Sequence, residues 1–391
     1  MELDIGPGML LFQGENGQGK SNLLEAIYLL AIAKSPKAST DRELVRWQPV
    51  DGEIYSRVAA SVHRGNEPLR VQIDFRSVPN PPDDDVDPAD EAHVRRGPES
   101  LSVQKYLRVN GVPRRASDLV GQVTAVMFSA DDLELVYGSP TVRRRYLDIL
   151  ISQLDRQYLR TLQRYQRVVT QRNSLLKSIR EGKSRAGEIE FWDDELAAEG
   201  KLIMAQRHRT IEKLSELSSP VHEELTGNGE ALRLEYQPNV PIGDDVSEDS
   251  IEQYIRKAIQ ERRQREIAQA VTISGPHRDD LGILLNDMDV AAYASRGQAR
   301  TVVLAMKLAE AGYLRERRHQ EPILLLDDVF SELDASRRAH ILDTVSRYEQ
   351  SFITTADVDT IEKRFLTKMS RFVVSKGRVE KAESLTSLDE I

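Results

Sequence analysis

Gly14-Glu-Asn-Gly-Gln-Gly-Lys20-Ser21 has the residue types and spacing of a phosphate-binding loop. Its glycines let backbone N–H groups turn toward phosphate oxygens, Lys20 is placed to reach the β and γ phosphates, and the Ser21 hydroxyl is placed for Mg2+. Glu15, Asn16, Gly17, Gln18, Gly19 and Asn22 complete the stretch expected to bind ATP. A glycine turn ahead of a helix is the plain alternative. The surroundings argue against it: the apolar run Met9-Leu-Leu-Phe12 precedes the loop, and apolar residues at 23, 24, 27, 30 and 31 follow it, as strand, loop and helix require.

The acidic partner of such a loop lies 307 positions beyond Lys20, where Ile323-Leu-Leu-Leu ends in Asp327-Asp328. A continuous apolar run of this kind is typical of a buried parallel strand. Two carboxylates at its end are costly without a cation or donors to offset them. Asp327 is expected to hold Mg2+ through water, and Asp328 to polarise the attacking water. Ser295-Arg296-Gly297-Gln298 lies just before this strand, and Ser331-Glu332-Leu333-Asp334 just after it. Alone, the first tetrapeptide reads as a serine cap on the helix that follows. In this position the four elements have the order found in ABC-type ATPase heads. There the serine and its helix N-terminus bind the γ-phosphate held by a second subunit, and the loop at 331–334 crosses the dimer interface. The chain therefore reads as an ATP-operated machine, and a small-molecule kinase is disfavoured.

Net charge is −9, but segment 143–185 carries twelve Lys and Arg against three acidic residues. Arg156, Arg160, Arg164 and Arg167 follow i, i+4, i+8, i+11 and share one helix face. A single-sign stripe on an acidic protein points to a phosphate backbone, against the alternative of a solvated face. Arg143, Arg144, Arg145, Arg114 and Arg115 are further candidates for DNA contact, whereas Arg262, Arg263 and Arg265 are flanked by Glu261 and Glu266 and read as surface.

At 391 residues the chain should form two or more domains. The expected fold is α/β, with a mixed β-sheet and flanking helices. The motif order makes the head discontinuous, residues 1–138 and 271–391, with a helical domain inserted at 139–270. Helical spacing through 141–218, broken near 182–187, predicts two long antiparallel helices, and a further helix is expected over 250–270. Residues 58–62 and 69–75 are β-prone, and Asn110-Gly111 signals a hairpin. Residues 78–100, rich in proline and acid, read as a disordered excursion. The absence of cysteine excludes disulfides and thiolate chemistry. The near-apolar run 23–33 is shorter than the ~20 residues of a membrane span, and the start lacks a signal-peptide pattern. A cytoplasmic protein is expected.

Together these segments resemble the RecF family, bacterial recombination mediators related to SMC proteins. The loop with Asn22-Leu-Leu-Glu-Ala-Ile27 resembles the family's own. Phe128-Ser-Ala-Asp-Asp-Leu-Glu-Leu-Val136 and Gly138-Ser-Pro-Thr-Val-Arg-Arg-Arg-Tyr-Leu-Asp148 resemble its most distinctive internal motif. Gly275-Pro-His-Arg-Asp-Asp280, Ser295-Arg-Gly-Gln-Ala-Arg-Thr301 and Leu324 through Asp334 complete the set. The resemblance implies an ABC/SMC-type P-loop ATPase head with a short helical arm, ATP- and Mg2+-dependent homodimerisation, and slow DNA-stimulated hydrolysis. It also implies binding to single-stranded and gapped duplex DNA, and loading of RecA with RecR and RecO in repair, replication restart and the SOS response. An aspartate at 328 and a threonine at 354 or 355, where other ABC proteins have glutamate and histidine, agree with that family. Ala130 and Ser21 stand where it usually has proline and threonine. The resemblance also implies a strand and an arginine that approaches the nucleotide ahead of the segment matching 1–8, roughly 15 to 20 residues that this sequence is expected to lack. An ATP-gated clamp with little turnover is the alternative function.

Overall fold

The computed structural model describes residues 1–38, 40–45, 55–64, 67–79, 101–227, 229–243 and 245–382. They form two compact units, one of residues 1–20 with 124–391 and one of residues 21–123. The chain begins with β1 (Gly8–Gln13) and α1 (Lys20–Ile32), then β2 (Tyr55–Arg64), β3 (Glu67–Pro79), β4 (Leu101–Val109), β5 (Val112–Arg114) and the short α2 (Ala116–Leu119). Next come β6 (Ala125–Ser129), α3 (Glu134–Tyr137), α4 (Pro140–Leu154), α5 (Arg156–Arg180), α6 (Glu190–Thr226), β7 (Leu232–Gln237) and α7 (Glu248–Gln269). The remainder is β8 (Asp280–Leu285), β9 (Met288–Asp289), α8 (Val290–Tyr293), α9 (Arg296–Arg318), β10 (Ile323–Asp327), α10 (Ala335–Val345), β11 (Gln350–Thr355), α11 (Lys363–Leu366), β12 (Met369–Ser375) and β13 (Arg378–Lys381).

The first unit is built on a six-stranded sheet of order β13-β12-β1-β11-β10-β6. Every pairing in it is parallel except the β12–β13 hairpin. Parallel strands are covered on both faces, which is why Leu10, Leu11, Phe12 and Leu324 to Leu326 are all apolar and buried rather than alternating. Phe12 stacks with Phe352 and Phe372 across the three adjacent strands β11, β1 and β12. Burying leucine or phenylalanine side chains on such a strand contributes about 1.5–3 kcal/mol each.

The segment expected to give two long helices gives three. Asp155 takes an extended backbone (φ −136°) and its carboxylate accepts from Gln157 N at 2.7 Å, so α4 ends and a capped α5 begins. The break near 182–187 is present, and α6 then runs for 37 residues. Arg164 reaches Glu199 and Arg172 reaches Asp193, so α5 and α6 are antiparallel. Helix α7 starts at Glu248, capped by Ser247. These helices pack within the first unit, α6 against α5, α7, α9 and β7.

Two buried guanidinium groups bind these layers. Arg172, fully buried, donates to Asp193 Oδ1 at 2.9 Å, Thr272 Oγ1 at 2.9 Å and Glu266 Oε2 at 2.6 Å. Arg207 donates to Asp148 Oδ1 at 2.8 Å, Pro276 O at 2.6 Å and Tyr158 Oη at 3.2 Å. Burial disfavours the Arg207 charge, but Asp148 and its other anionic neighbours outweigh it and raise its pKa. His277 completes the set: Tyr165 Oη lies 2.7 Å from Nδ1, and Thr272 O lies 3.0 Å from Nε2. A carbonyl can only accept, so Nε2 carries a proton; burial disfavours a second one on the ring, and Nδ1 then accepts from Tyr165.

The second unit contains a four-stranded antiparallel sheet, β2-β3-β4-β5. Asn110-Gly111 forms the expected hairpin turn, with φ of 50° and 78°. Val71, Ile73 and Phe75 are buried. β3 extends to Pro79 and β4 starts at Leu101; the rest of the proposed excursion at 78–100 lies outside the described residues.

Burial holds His277 down to about 4. Its ordinary value is near 6.5, so below that pH the unfolded chain binds a proton that the folded chain refuses. Stability is therefore expected to fall by about 2 kcal/mol between pH 7 and pH 5 from this group. Urea unfolding at both pH values should show that loss in the wild type, and a smaller one in His277→Gln.

Candidate nucleotide site

The carboxyl edge of the first unit's sheet gathers the predicted chemistry. β11 is hydrogen-bonded to β1 on one side and to β10 on the other, with Phe12 opposite Thr354 and Thr354 opposite Asp327. Strands lie about 4.8 Å apart, so the glycine loop and Asp327 end roughly 10 Å from each other. β6 pairs on the far side of β10 and brings Ser129 opposite Asp327. Crevices outside the carboxyl ends of parallel strands are where such folds bind ligands.

The glycine loop is shaped by its neighbours. A Cβ on Gly14 would lie 2.3 Å from Val374 O, so the loop can start only with glycine. Gly19 has φ +105°, in the region that disfavours side chains. Lys20 is buried, and its Nζ donates to Gly14 O at 2.6 Å and Glu15 O at 2.9 Å, which holds the ammonium inside the loop. Gln18 turns away to the β12–β13 hairpin: its carbonyl accepts from Gly377 N at 3.0 Å and its Oε1 from Lys376 N at 2.7 Å. Nothing local marks that contact between residues 358 apart in sequence. Ser21 and Asn22 follow in the first turn of α1.

Asp327 is buried at the end of β10, and Thr354 Oγ1 donates to its Oδ1 at 3.0 Å. The same hydroxyl accepts from Asp328 N at 3.0 Å. Thr354 thus fixes both acidic residues, while Thr355 turns to Asp357. Asp328 sits in the left-handed region (φ 52°), and Ser331 Oγ donates to its carbonyl at 2.9 Å. A carboxylate of this donor set suits a hard divalent cation. Beside Asp328 a cavity is lined by Ser129 and Asp132 of the 128–136 motif, Arg300 of the 295–301 motif, and Lys307, which no motif includes.

Ser295 caps the 23-residue helix α9 in a reciprocal capping box: its Oγ accepts from Gln298 N at 3.2 Å, and Gln298 Oε1 accepts from Ser295 N at 2.9 Å. Gln298 Nε2 also donates to Glu230. Ser295, Arg296 and Gly297 are at the surface, so the positive end of this helix faces outward. Ser331 and Asp334 are exposed and Leu333 is buried; Asp334 caps α10 by accepting from Arg337 N at 2.9 Å, and Glu332 lies in the turn between them.

The basic candidates separate into groups. Arg143 grips Asp280 with two bonds of 2.7 and 2.8 Å and donates to Gly138 O at 2.9 Å. Arg144 donates to Asp279 O at 2.7 Å. Arg164 is paired with Glu199 through bonds of 2.6 and 3.0 Å. These three hold the protein together. Arg156, Arg160 and Arg167 are exposed on α5, Arg145 is exposed at α4, and Arg114 and Arg115 are exposed in the second unit.

Residues 1–380 match the family described as RecF/RecN/SMC N terminal domain. The chain is 41% identical over 388 residues to the DNA replication and repair protein RecF of Chloroflexus aurantiacus, covering 97% of this chain and 95% of that protein. It is 35% identical over 381 residues to RecF of Staphylococcus carnosus, with the same coverage. A solved structure of the recombination mediator protein RecF-ATP in the RecFOR pathway superposes with a TM-score of 0.82 at 31% identity, over 97% of this chain and 93% of the other. The RecF-ATPrS structure of the same pathway gives the same TM-score and identity.

Thr354→Val leaves Asp328 N without its buried acceptor and removes the donor to Asp327. It is expected to lower stability by about 1–3 kcal/mol in urea unfolding, with Thr354→Ser close to wild type.

Proposed function

The chain belongs to the RecF family, an ABC/SMC-type ATPase fold, and from that membership we propose that it is a DNA-binding ATPase of recombinational repair whose two copies close on ATP. One observation carries the proposal: the ladder of β1, β11 and β10 sets the glycine loop, Asp327 and Asp328 on one sheet edge, while α9 turns its capped N-terminus outward. Lys20 and the loop N–H groups of residues 14–22 bind the triphosphate. Asp327 would hold Mg2+, with the Ser21 hydroxyl that follows Lys20 in sequence as the second candidate ligand, and the ion would neutralise charge on the phosphate oxygens. Asp328 orients the attacking water. Its carboxylate is one methylene shorter than glutamate, and its backbone is pinned by Thr354 and Ser331, which supports slow turnover. Ser295 to Gln298 receive the γ-phosphate of the second copy, and 331–334 lie between copies.

Residues 139–270 serve as the arm, and Arg156, Arg160 and Arg167, with Arg145, Arg114 and Arg115, touch phosphates of single-stranded or gapped duplex DNA. The related structures concern the RecFOR pathway, which supports action with RecO and RecR to load RecA, in replication restart and the SOS response. Among the described residues no helix is long and apolar enough to cross a membrane, in keeping with a place in the cytoplasm. The pinned Asp328 also favours a second reading, an ATP-gated clamp with little turnover.

Steady-state ATP hydrolysis should rise on adding gapped duplex DNA and disappear in Lys20→Arg; no response to DNA in a nucleotide-binding protein counts against the proposal. Asp328→Asn is expected to cut hydrolysis by roughly 10²-fold or more while ATP-dependent dimerisation, read by light scattering, persists. Repair function surviving Asp328→Asn would favour the clamp.

A further inference from the structure

Strand register gives the antiparallel sheet of the second unit one chemically unusual face. Tyr55 lies opposite Arg76, and Arg57 opposite Asp74. On the next strand Arg76 lies opposite Gln104, Asp74 opposite Tyr106 and Gln72 opposite Arg108. Side chains alternate across a strand, so Tyr55, Arg57, Arg70, Arg76, Tyr106 and Arg108 share this face. The opposite face carries Val71, Ile73 and Phe75, all buried.

The rings and guanidinium groups form a ladder across three strands. Arg57 Cζ lies 5.5 Å from the Tyr55 ring centroid, and Arg76 Cζ lies 5.8 Å from that of Tyr55 and 5.5 Å from that of Tyr106. Tyr55 and Tyr106 are 54% and 42% exposed, values that a ring packed in a core does not show. Asp74 is the one acid on this face among the described residues. It lies beneath the ladder, accepting from Arg57 Nε at 2.6 Å and Gln72 Nε2 at 2.8 Å. Burial pushes its carboxyl up, but those two donors outweigh burial and hold it below its ordinary value. Asp74 therefore anchors Arg57 from below, while Arg70, Arg76 and Arg108 add positive charge to an acidic protein.

We propose that this face is a second nucleic-acid site, which takes single-stranded DNA with its phosphates on the arginines and its bases against the tyrosines. Charge complementarity selects a polyanion, and exposed π surface between the charges selects one with unstacked bases. A duplex hides its base faces and meets only the arginines. Its residues are other than those of the α5 stripe, and Arg114, opposite Leu107, lies on the other face of the sheet. It rests on the DNA-binding reading above and assigns that reading a surface on the sheet.

The test is fluorescence anisotropy with a labelled oligo-dT and with a 30-base-pair duplex, for wild type, Arg76→Ala/Tyr106→Ala and Arg76→Lys/Tyr106→Phe. The alanine pair is expected to lose roughly tenfold or more in single-strand affinity and less than about threefold for duplex, with the conservative pair close to wild type. The slope of log affinity against log salt should become shallower by about 0.7, for the one phosphate that Arg76 no longer neutralises. Unchanged unfolding midpoint and basal ATP hydrolysis show that the variant is folded. Should it fail to fold, photocrosslinking of wild type to 5-iodouracil oligonucleotide decides: adducts at Tyr55 or Tyr106 support the site, and adducts only elsewhere overturn it. Unchanged single-strand binding in the folded variant, or equal loss for both DNAs, overturns this site and leaves the DNA-binding function standing. Wild type that binds neither DNA overturns both.

Discussion

The candidate site depends on the backbone ladder of β11. That strand takes β1 on one edge and β10 on the other, and so closes the 307 positions between Lys20 and Asp327. Parallel pairing makes the match geometric: both neighbours run in the same direction and end at the same level, so a loop after β1 and an acid at the tip of β10 must share one edge. Closing so long a loop costs chain entropy, though the cost grows only slowly with length. Burial of Leu10, Phe12, Leu325, Leu326 and Ile353 offsets it.

Thr354 links this frame to the chemistry. It sits on the central strand, and one hydroxyl serves as donor to Asp327 and acceptor from Asp328. Any shift of β11 relative to β10 would therefore misplace both acids at once. Gln18 has the same kind of role on the other side, since the β12–β13 turn holds its backbone and its side chain. Site geometry is thus inherited from strand register on both flanks. In the helical layers the buried Arg172 and Arg207 have the corresponding place. Each binds side-chain or backbone oxygens from three segments, and removing a carboxylate partner would leave part of a buried charge without compensation.

Much of the site is legible in the sequence because its signals are local. Glycines at 14, 17 and 19 with Lys20 mark the loop once an apolar run precedes them and a helical pattern follows, and Ser295 with Gln298 specifies a capping box from three residues' spacing. The apolar run ahead of Asp327 marks a strand covered on both faces. The break at Asp155 is hidden because the apolar spacing continues through it; its signal is the aspartate's ability to cap, which competes with helix continuation only when the backbone around it extends. The arginine stripe does lie on one helix, but its members do not share one environment. Arg164 meets Glu199 across the α5–α6 pair, and that partner lies 35 residues away.

The sequence by itself determined the strand, glycine loop and helix at 9–32, the apolar strand ending at Asp327 and the Ser295 cap, because each rests on interactions within a few residues. Only the tertiary structure decided which charges remain on the surface. Arg143, Arg172 and Arg207 look like Arg156 and Arg160 in composition, yet the first three are held by Asp280, Asp193 and Asp148 inside the fold. It also decided that Tyr55, Arg76 and Tyr106 form one ladder, since strands at 55–64, 67–79 and 101–109 can be aligned in many registers and only pairing selects one. The physical reason is common to both. A side chain's type is carried by the residue, but its free energy depends on which distant dipoles and charges share its low-dielectric surroundings, and those are set when the layers pack.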